Sequence, residues 1–283
     1  MISHRFEYHA PATMREAFAL LDASSGETAV LAGGTWLVPN MTCAMQQPGI
    51  VLDVKRLELN RISEDGEDIV IGALATYKDI LSSELVRTHA PLLFDMAGKI
   101  TGGPQIVGQG TIGGSACYAN PSSDVPACLA ALRARLRLGA STGERQIDAG
   151  NFYTGPFQTV RLPAEILTEI RIEKTARGSS FGYHKLKFSA GSWPIVTAAC
   201  VSRRLAAGQL VHRIAIGGAN AIPVIFNGVS PTKPTREDLA GLAERTAALI
   251  DNEWSDELAR PGYRRQVAPA IALRALMQSV GLR

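Results

Sequence analysis

The chain has 283 residues, 46% of them hydrophobic and 19% charged, with a net charge of +3. That is ample apolar material for one or two domain cores and too little charge for a disordered or polybasic chain. No basic run interleaves with aromatics, which sets nucleic acid aside as a partner, and no stretch reaches the roughly 18 uninterrupted apolar residues of a membrane span.

The N-terminal stretch is broken by His4, Arg5, Glu7 and His9 and has the pattern of neither a secretory signal nor an anchor, so a cytoplasmic location is the default expectation. Thr13 with Glu16 reads as a capping box, and Ala17, Leu20 and Leu21 supply the apolar stripe of a first helix ending near Ser24 to Gly26. A strand over 28 to 31 leads into the glycine-bearing run AGGTWLVPNM, and a second strand over 50 to 54 closes a small N-terminal α/β unit. From Arg61 a larger unit begins, with a strand over 68 to 72, a helix capped by Thr76 and Asp79, and a helix within 91 to 99.

The stretch that starts at Gly108, GQGTIGGSACYANPSSDVPA, joins a glycine turn to a loop and then to a helix over 125 to 135. Gly110, Gly113 and Gly114 are expected to free backbone amides and to reach positive φ in a tight anion cradle. Thr111 and Ser115 add hydroxyls beside them, and Asp124 adds a carboxylate suited to ribose hydroxyls. Segments 136 to 139 and 165 to 172 read as strands returning to the same sheet, and residues 140 to 157 between them have loop composition and are expected outside the core.

Beyond Phe181 the rhythm turns antiparallel, with three strands over 181 to 188, 195 to 205 and 210 to 216. Thr235 and Asp238 cap one helix, and a last helix over 263 to 280 is expected to be interrupted or kinked at Pro269. Cys43, Cys117, Cys128 and Cys200 show no CxxC spacing, so an iron–sulfur cluster would have to sit on a partner. The five histidines show no paired ligand spacing, and no acidic residue follows the glycine run over 108 to 113 at the offset a Rossmann site needs. Neither a metal site nor a catalytic nucleophile is expected in this chain. Two separated glycine segments suit one long dinucleotide lying between two units.

The ordered set AGG-x-x-L-x-P-x-M, TIGG and D-x-P-A resembles the FAD-binding medium subunit of the molybdenum hydroxylases, the xanthine dehydrogenase and carbon monoxide dehydrogenase family. The resemblance covers essentially the whole chain, including IVLDVKRLELNRI, EILTEIRI and YHKLKFSAGSW. It implies an α+β fold of the PCMH type: an FAD-binding domain over 1 to 177, split near 58 into a small α/β unit and a larger mixed-sheet unit, then a C-terminal domain over 178 to 283 with a three-stranded antiparallel sheet and helices. It also implies that Ala32, Gly33, Gly34, Thr35 and Trp36 form a first FAD segment and Thr111, Ile112, Gly113, Gly114 and Ser115 a second. Asp124 would contact the nucleotide, Leu167 would lie against the flavin, and Lys185 would stand near the flavin's pyrimidine edge, where the residues alone read a solvated strand lysine. Trp193 falls where relatives place an aromatic over the flavin.

Trp36, Ser115, Asn120 and Ser192 depart from the family pattern and put individual contacts in doubt. The implied partners are a large molybdenum-cofactor subunit and a small subunit with two [2Fe–2S] clusters, in a dimer of heterotrimers that passes electrons through this FAD to an external acceptor. A free-standing FAD oxidoreductase and a non-catalytic flavin-binding protein stand as alternatives.

Overall fold

Three larger sheets and one two-stranded ribbon organise the computed structural model, which describes residues 2–24, 28–176, 178–206 and 208–282. In the first sheet, Ile50–Asp53 lies between Glu7–His9 and Thr28–Leu31, and both pairings are parallel. Helix Met14–Ala23 follows the first strand and turns Ala17 and Leu21 into a core with Leu52, Val54 and Leu57. Leu74 and Ile166 of the next unit complete that cluster, so the two units share one apolar seam. Thr13 caps the helix by accepting the Glu16 amide at 3.2 Å, but the Glu16 carboxylate reaches the Ala12 amide at 2.9 Å, which leaves the expected capping box half made. The expected helix end at Gly26 and the boundary residue Arg177 lie outside the described residues.

The second sheet runs in the order Ile62–Asp65, Asp68–Gly72, Ile166–Glu173, Arg135–Ala140, Gly143–Asp148, and every pairing is antiparallel where a mixed sheet was expected. Its period-two alternation is sharp. Leu136, Leu138, Ile170 and Ile172 are buried on one face, while Arg135, Arg137, Glu169 and Arg171 stand on the other. There Arg171 pairs with Asp65, Asp68 and Glu169, and Arg137 pairs with Glu169 at 3.2 Å. The apolar face is covered by helices Pro91–Gly98 and Asp124–Ala131.

Residues 140 to 157 correct the sequence reading. Gly143–Asp148 is the edge strand of this sheet, and Ala149, Phe152 and Tyr153 are buried in its core. Its run of polar residues looked like a loop because an edge strand keeps charged residues on its open side. The helix expected to reach Arg135 ends at Ala131, where the chain turns through Arg133 at φ 52° into the next strand.

The third sheet is an antiparallel meander of Ser179–Lys187, Pro194–Arg204, Leu210–Gly217 and Val224–Ser230. It has four strands, not the expected three. Gly228 interrupts the apolar pattern of the fourth, yet it is there to make room, since a Cβ at that position would lie 2.3 Å from the Leu242 side chain of helix Arg236–Ala247. Thr235 and Asp238 form the full capping box of that helix. The last helix, Tyr263–Val280, runs unbroken through Pro269. The proline removes the donor that Arg265 would otherwise have met, but Arg265 is exposed near the helix start, where water replaces it. Among the described residues, no helix is long and apolar enough to cross a membrane.

Candidate functional site

A cavity of about 490 Å³ lies where the first unit, the second unit and the loop after Lys187 meet. Eleven of the thirteen expected site residues line it: Ala32, Gly33, Gly34, Thr35, Trp36, Thr111, Gly113, Gly114, Ser115, Asp124 and Leu167. Ile112 and Lys185 do not.

Strand Thr28–Leu31 delivers the chain into residues 32–36, and helix Leu37–Thr42 takes it up again. Gly34 sits at φ +72°, a left-handed angle that other side chains rarely adopt. Gly33 passes so close to the second unit that a Cβ would stand 1.8 Å from the Gln109 carbonyl oxygen. The carbonyls of Gly34 and Trp36 accept from Val38 and Asn40, but the amides of Gly33, Gly34, Thr35 and Trp36 meet no acceptor among the described residues. Successive free amides around a left-handed turn make a concavity that binds anions.

Residues 111–115 are built differently and correct the expected cradle. Thr111 is the N-cap of helix Ile112–Tyr118, and its hydroxyl accepts the Gly114 amide at 3.1 Å. The Ile112 and Gly113 amides donate to Ala75 and Ala73 at 3.0 and 2.9 Å, and the Ser115 amide donates to the Thr111 carbonyl. The amides of residues 112–115 are all taken, and neither Gly113 nor Gly114 has a positive φ. Gly113 is a contact glycine: a Cβ would lie 2.5 Å from the Ala73 oxygen. Ile112 points into the core with no exposed surface. The Ser115 hydroxyl on the cavity wall meets the Tyr77 hydroxyl.

Asp124 opens the buried helix Asp124–Ala131 behind its cap Ser123. Its carboxylate accepts from the Tyr183 hydroxyl and, at 2.8 Å, from the Lys185 ammonium. Lys185 also donates to the Lys99 carbonyl at 2.5 Å, so it is buried behind the wall, neither solvated nor on the cavity surface. Burial pushes the Asp124 carboxyl up and the Lys185 ammonium down, against the attraction between them. Leu167, beside a bulge in strand Ile166–Glu173, adds apolar wall.

Several wall residues carried no site expectation. One of them, Tyr118, packs on Trp36 with ring centroids 4.8 Å apart, while Trp193, the aromatic expected near the flavin, also lies on the wall and meets Trp36 edge-on at 6.0 Å. Tyr118 was legible in principle, since it lies two helical turns beyond Thr111 on the same face. Tyr77, Arg161 and the pair Ile100 and Gly102 come from three separate segments, and no local pattern marked them. Among the described residues, no group of three or more His, Cys, Asp or Glu gathers as a metal site.

Residues 4–174 match the family described as FAD binding domain in molybdopterin dehydrogenase. The carbon monoxide dehydrogenase medium chain of Hydrogenophaga pseudoflava is 38% identical over 79% of this chain and 77% of its own length. The glyceraldehyde dehydrogenase medium chain of Sulfolobus acidocaldarius is 31% identical over 98% of this chain and 99% of its own. Among solved structures, carbon monoxide dehydrogenase from Hydrogenophaga pseudoflava, in a form lacking the Mo-pyranopterin moiety of its cofactor, superimposes with a TM-score of 0.92 at 32% identity, covering 99% of both chains.

Proposed function

Because the chain belongs to the family of FAD-binding domains of molybdopterin dehydrogenases, we propose that it is the FAD-carrying electron-transfer subunit of a molybdenum hydroxylase. The observation that carries this reading is the single cavity in which four free amides, the Thr111 helix start and the apolar wall of Ile166 and Leu167 come together. Its size falls within the usual range for small-molecule and cofactor sites.

In this reading the amides of residues 33–36 hold the diphosphate, with Ala32, Thr35, Thr111, Gly113, Gly114 and Ser115 shaping the cleft around it. Asp124 closes the wall beside Ser123. Leu167 and the Trp36 ring present apolar surface that excludes water from a flat ring system. Ile112 and Lys185 act from behind: the first anchors the helix that carries Ser115, and the second neutralises Asp124. When bound, FAD supplies a redox centre able to exchange electrons one or two at a time.

The proposed assembly places substrate hydroxylation on a large molybdenum-cofactor subunit and two [2Fe–2S] clusters on a small one, in a dimer of heterotrimers that delivers electrons to an external acceptor. Relatives named as medium chains support a subunit role, and their naming after carbon monoxide and glyceraldehyde dehydrogenases is in keeping with a substrate chosen elsewhere in the complex. We place the assembly in the cytoplasm, in keeping with four unpaired cysteines.

The test is anaerobic. The flavin-loaded chain alone should keep its visible absorbance with every candidate organic substrate, bleach with a chemical reductant, and recover with an acceptor. Bleaching by an organic substrate without partner subunits would make the chain a free-standing oxidoreductase. A flavin that its copurifying partners cannot reduce would make it a binding protein.

A further inference from the structure

A bound dinucleotide brings a diphosphate, and with it negative charge, into a cavity whose walls are nearly free of cations. Among the described residues lining it, Arg161 is the one Lys, Arg or His. The two carboxylates on the same wall are already matched, Asp124 by Lys185 at 2.8 Å and Glu165 by Arg145 at 2.5 Å. Arg161 is held in another way. Its Nη1 donates to the carbonyls of Leu162 at 3.0 Å and Glu165 at 2.7 Å, and among the described residues no carboxylate oxygen lies within 4.0 Å of its guanidinium nitrogens. Carbonyls fix the orientation of a guanidinium without cancelling its charge, and they leave other N–H donors of the fork free.

Its place on the wall relates it to the free amides. Trp36, the last residue of the amide loop, packs on Tyr118 with ring centroids 4.8 Å apart. Cys117, next to Tyr118 and also on the wall, feels the Arg161 charge, which opposes the burial that pushes the thiol up to about 11. The wall thus runs from the amide loop through Tyr118 and Cys117 to the arginine.

Resting on the FAD reading above, we propose that Arg161 is the charge partner of the dinucleotide's diphosphate, completing from the second unit the anion site that the amides of residues 33–36 begin. Neutral amides orient phosphate oxygens but add no net charge, whereas a guanidinium presents forked donors matched to phosphate geometry.

The experiment uses the full-length chain stripped of flavin and titrated with FAD, and with riboflavin, which has no phosphate, at low and high KCl. Arg161→Leu should weaken FAD roughly tenfold or more at low salt, as expected for loss of a hydrogen bond to a charged group, and should flatten the salt dependence because one screened attraction is gone. Riboflavin affinity should stay unchanged, and Arg161→Lys should recover part of the loss. If riboflavin binds too weakly to titrate, the salt dependence decides. Should Arg161→Leu unfold, Arg161→Gln and Arg161→Lys carry the same comparison. An equal loss for both ligands, or an unaltered salt dependence, overturns the assignment. Wild-type chain that binds no FAD at all brings down the cavity reading first.

Discussion

Residues 33–36 keep four backbone amides free of protein acceptors, whereas residues 112–115 spend theirs on Ala75, Ala73 and Thr111. Both segments carry adjacent glycines and both reach the same cavity. Their glycines answer different demands. Gly34 is needed for its left-handed φ of +72°, while Gly113 keeps ordinary angles and is needed because Ala73 lies against it. One wall is open and conformational, and the other is closed and packed. Paired glycines in a sequence therefore mark either free donors or close approach, and only the partners of the amides decide which.

The largest effect expected comes from removing what stands behind the closed wall. Lys185→Met leaves the Asp124 carboxylate buried without its cation, which should cost about 3 to 5 kcal/mol of stability. The pH dependence has a definite sign. Without Lys185, burial alone raises the folded-state pKa of Asp124 above the unfolded value of about 3.9, so the folded state holds the proton more tightly. The stability associated with Asp124 in the variant is then fully present below that value and is lost as pH rises through the raised one. Urea unfolding at pH 5 and pH 8 checks this, and a variant that gains stability at pH 8 relative to wild type contradicts it. Gly113→Ala should come next, at about 1 to 3 kcal/mol, as overpacking against Ala73. Its signature is a lower Tm with the FAD affinity of the folded protein nearly intact, and a large loss of affinity at unchanged Tm would make the second segment a cradle after all.

Much of the fold was legible because strong local signals agreed with it. The capping boxes at Thr76 and Thr235 begin helices, and strand Ile166–Glu173 shows its alternation openly. What escaped notice was decided by distant neighbours. Gly228 looks like a strand breaker until Leu242 is seen to fill its place, and Gly143–Asp148 looks like a loop until its partner strand is known. At the site, the residue types at 32–36 and 111–115 were readable, but whether an amide is free is a property of its partners. Lys185 reads as a surface lysine for the same reason: Asp124 and Lys99, which hold its ammonium, lie far from it in sequence. Arg161 had no local signal, since its meaning rests on the other charges around the cavity being paired.

A smaller effect should separate the open wall from the closed one. Gly34→Ala places a side chain in a left-handed backbone at a cost of about 1 to 2 kcal/mol, with a Cβ meeting only the ends of Leu31 and Val38 at 3.1 and 3.3 Å. The strain is relieved if residues 33–36 shift, and that shift moves the free amides. Gly34→Ala should therefore lose more FAD affinity per unit of lost stability than Gly113→Ala, as read by FAD titration beside thermal unfolding. Equal ratios would erase the distinction between the two walls.

The smallest effect has the opposite sign. Gly108 lies in helix Gly103–Gln109, is exposed, has no positive φ, and a Cβ there would meet nothing within 4 Å. Gly108→Ala should raise stability by about 0.5 to 1 kcal/mol, because alanine loses less backbone entropy than glycine in a helix. The same helix carries Gln109, whose carbonyl sits against Gly33, and Ile106 and Gly102 lie on the cavity wall. Stiffening it leaves every amide of residues 33–36 where it was. If those amides and their left-handed turn are what the ligand needs, FAD affinity and dissociation rate should match wild type while the Tm rises. A slower FAD dissociation in Gly108→Ala would show instead that movement of the Gly103–Gln109 helix governs release, and the open wall would then extend beyond its amides to the helix that lies across them.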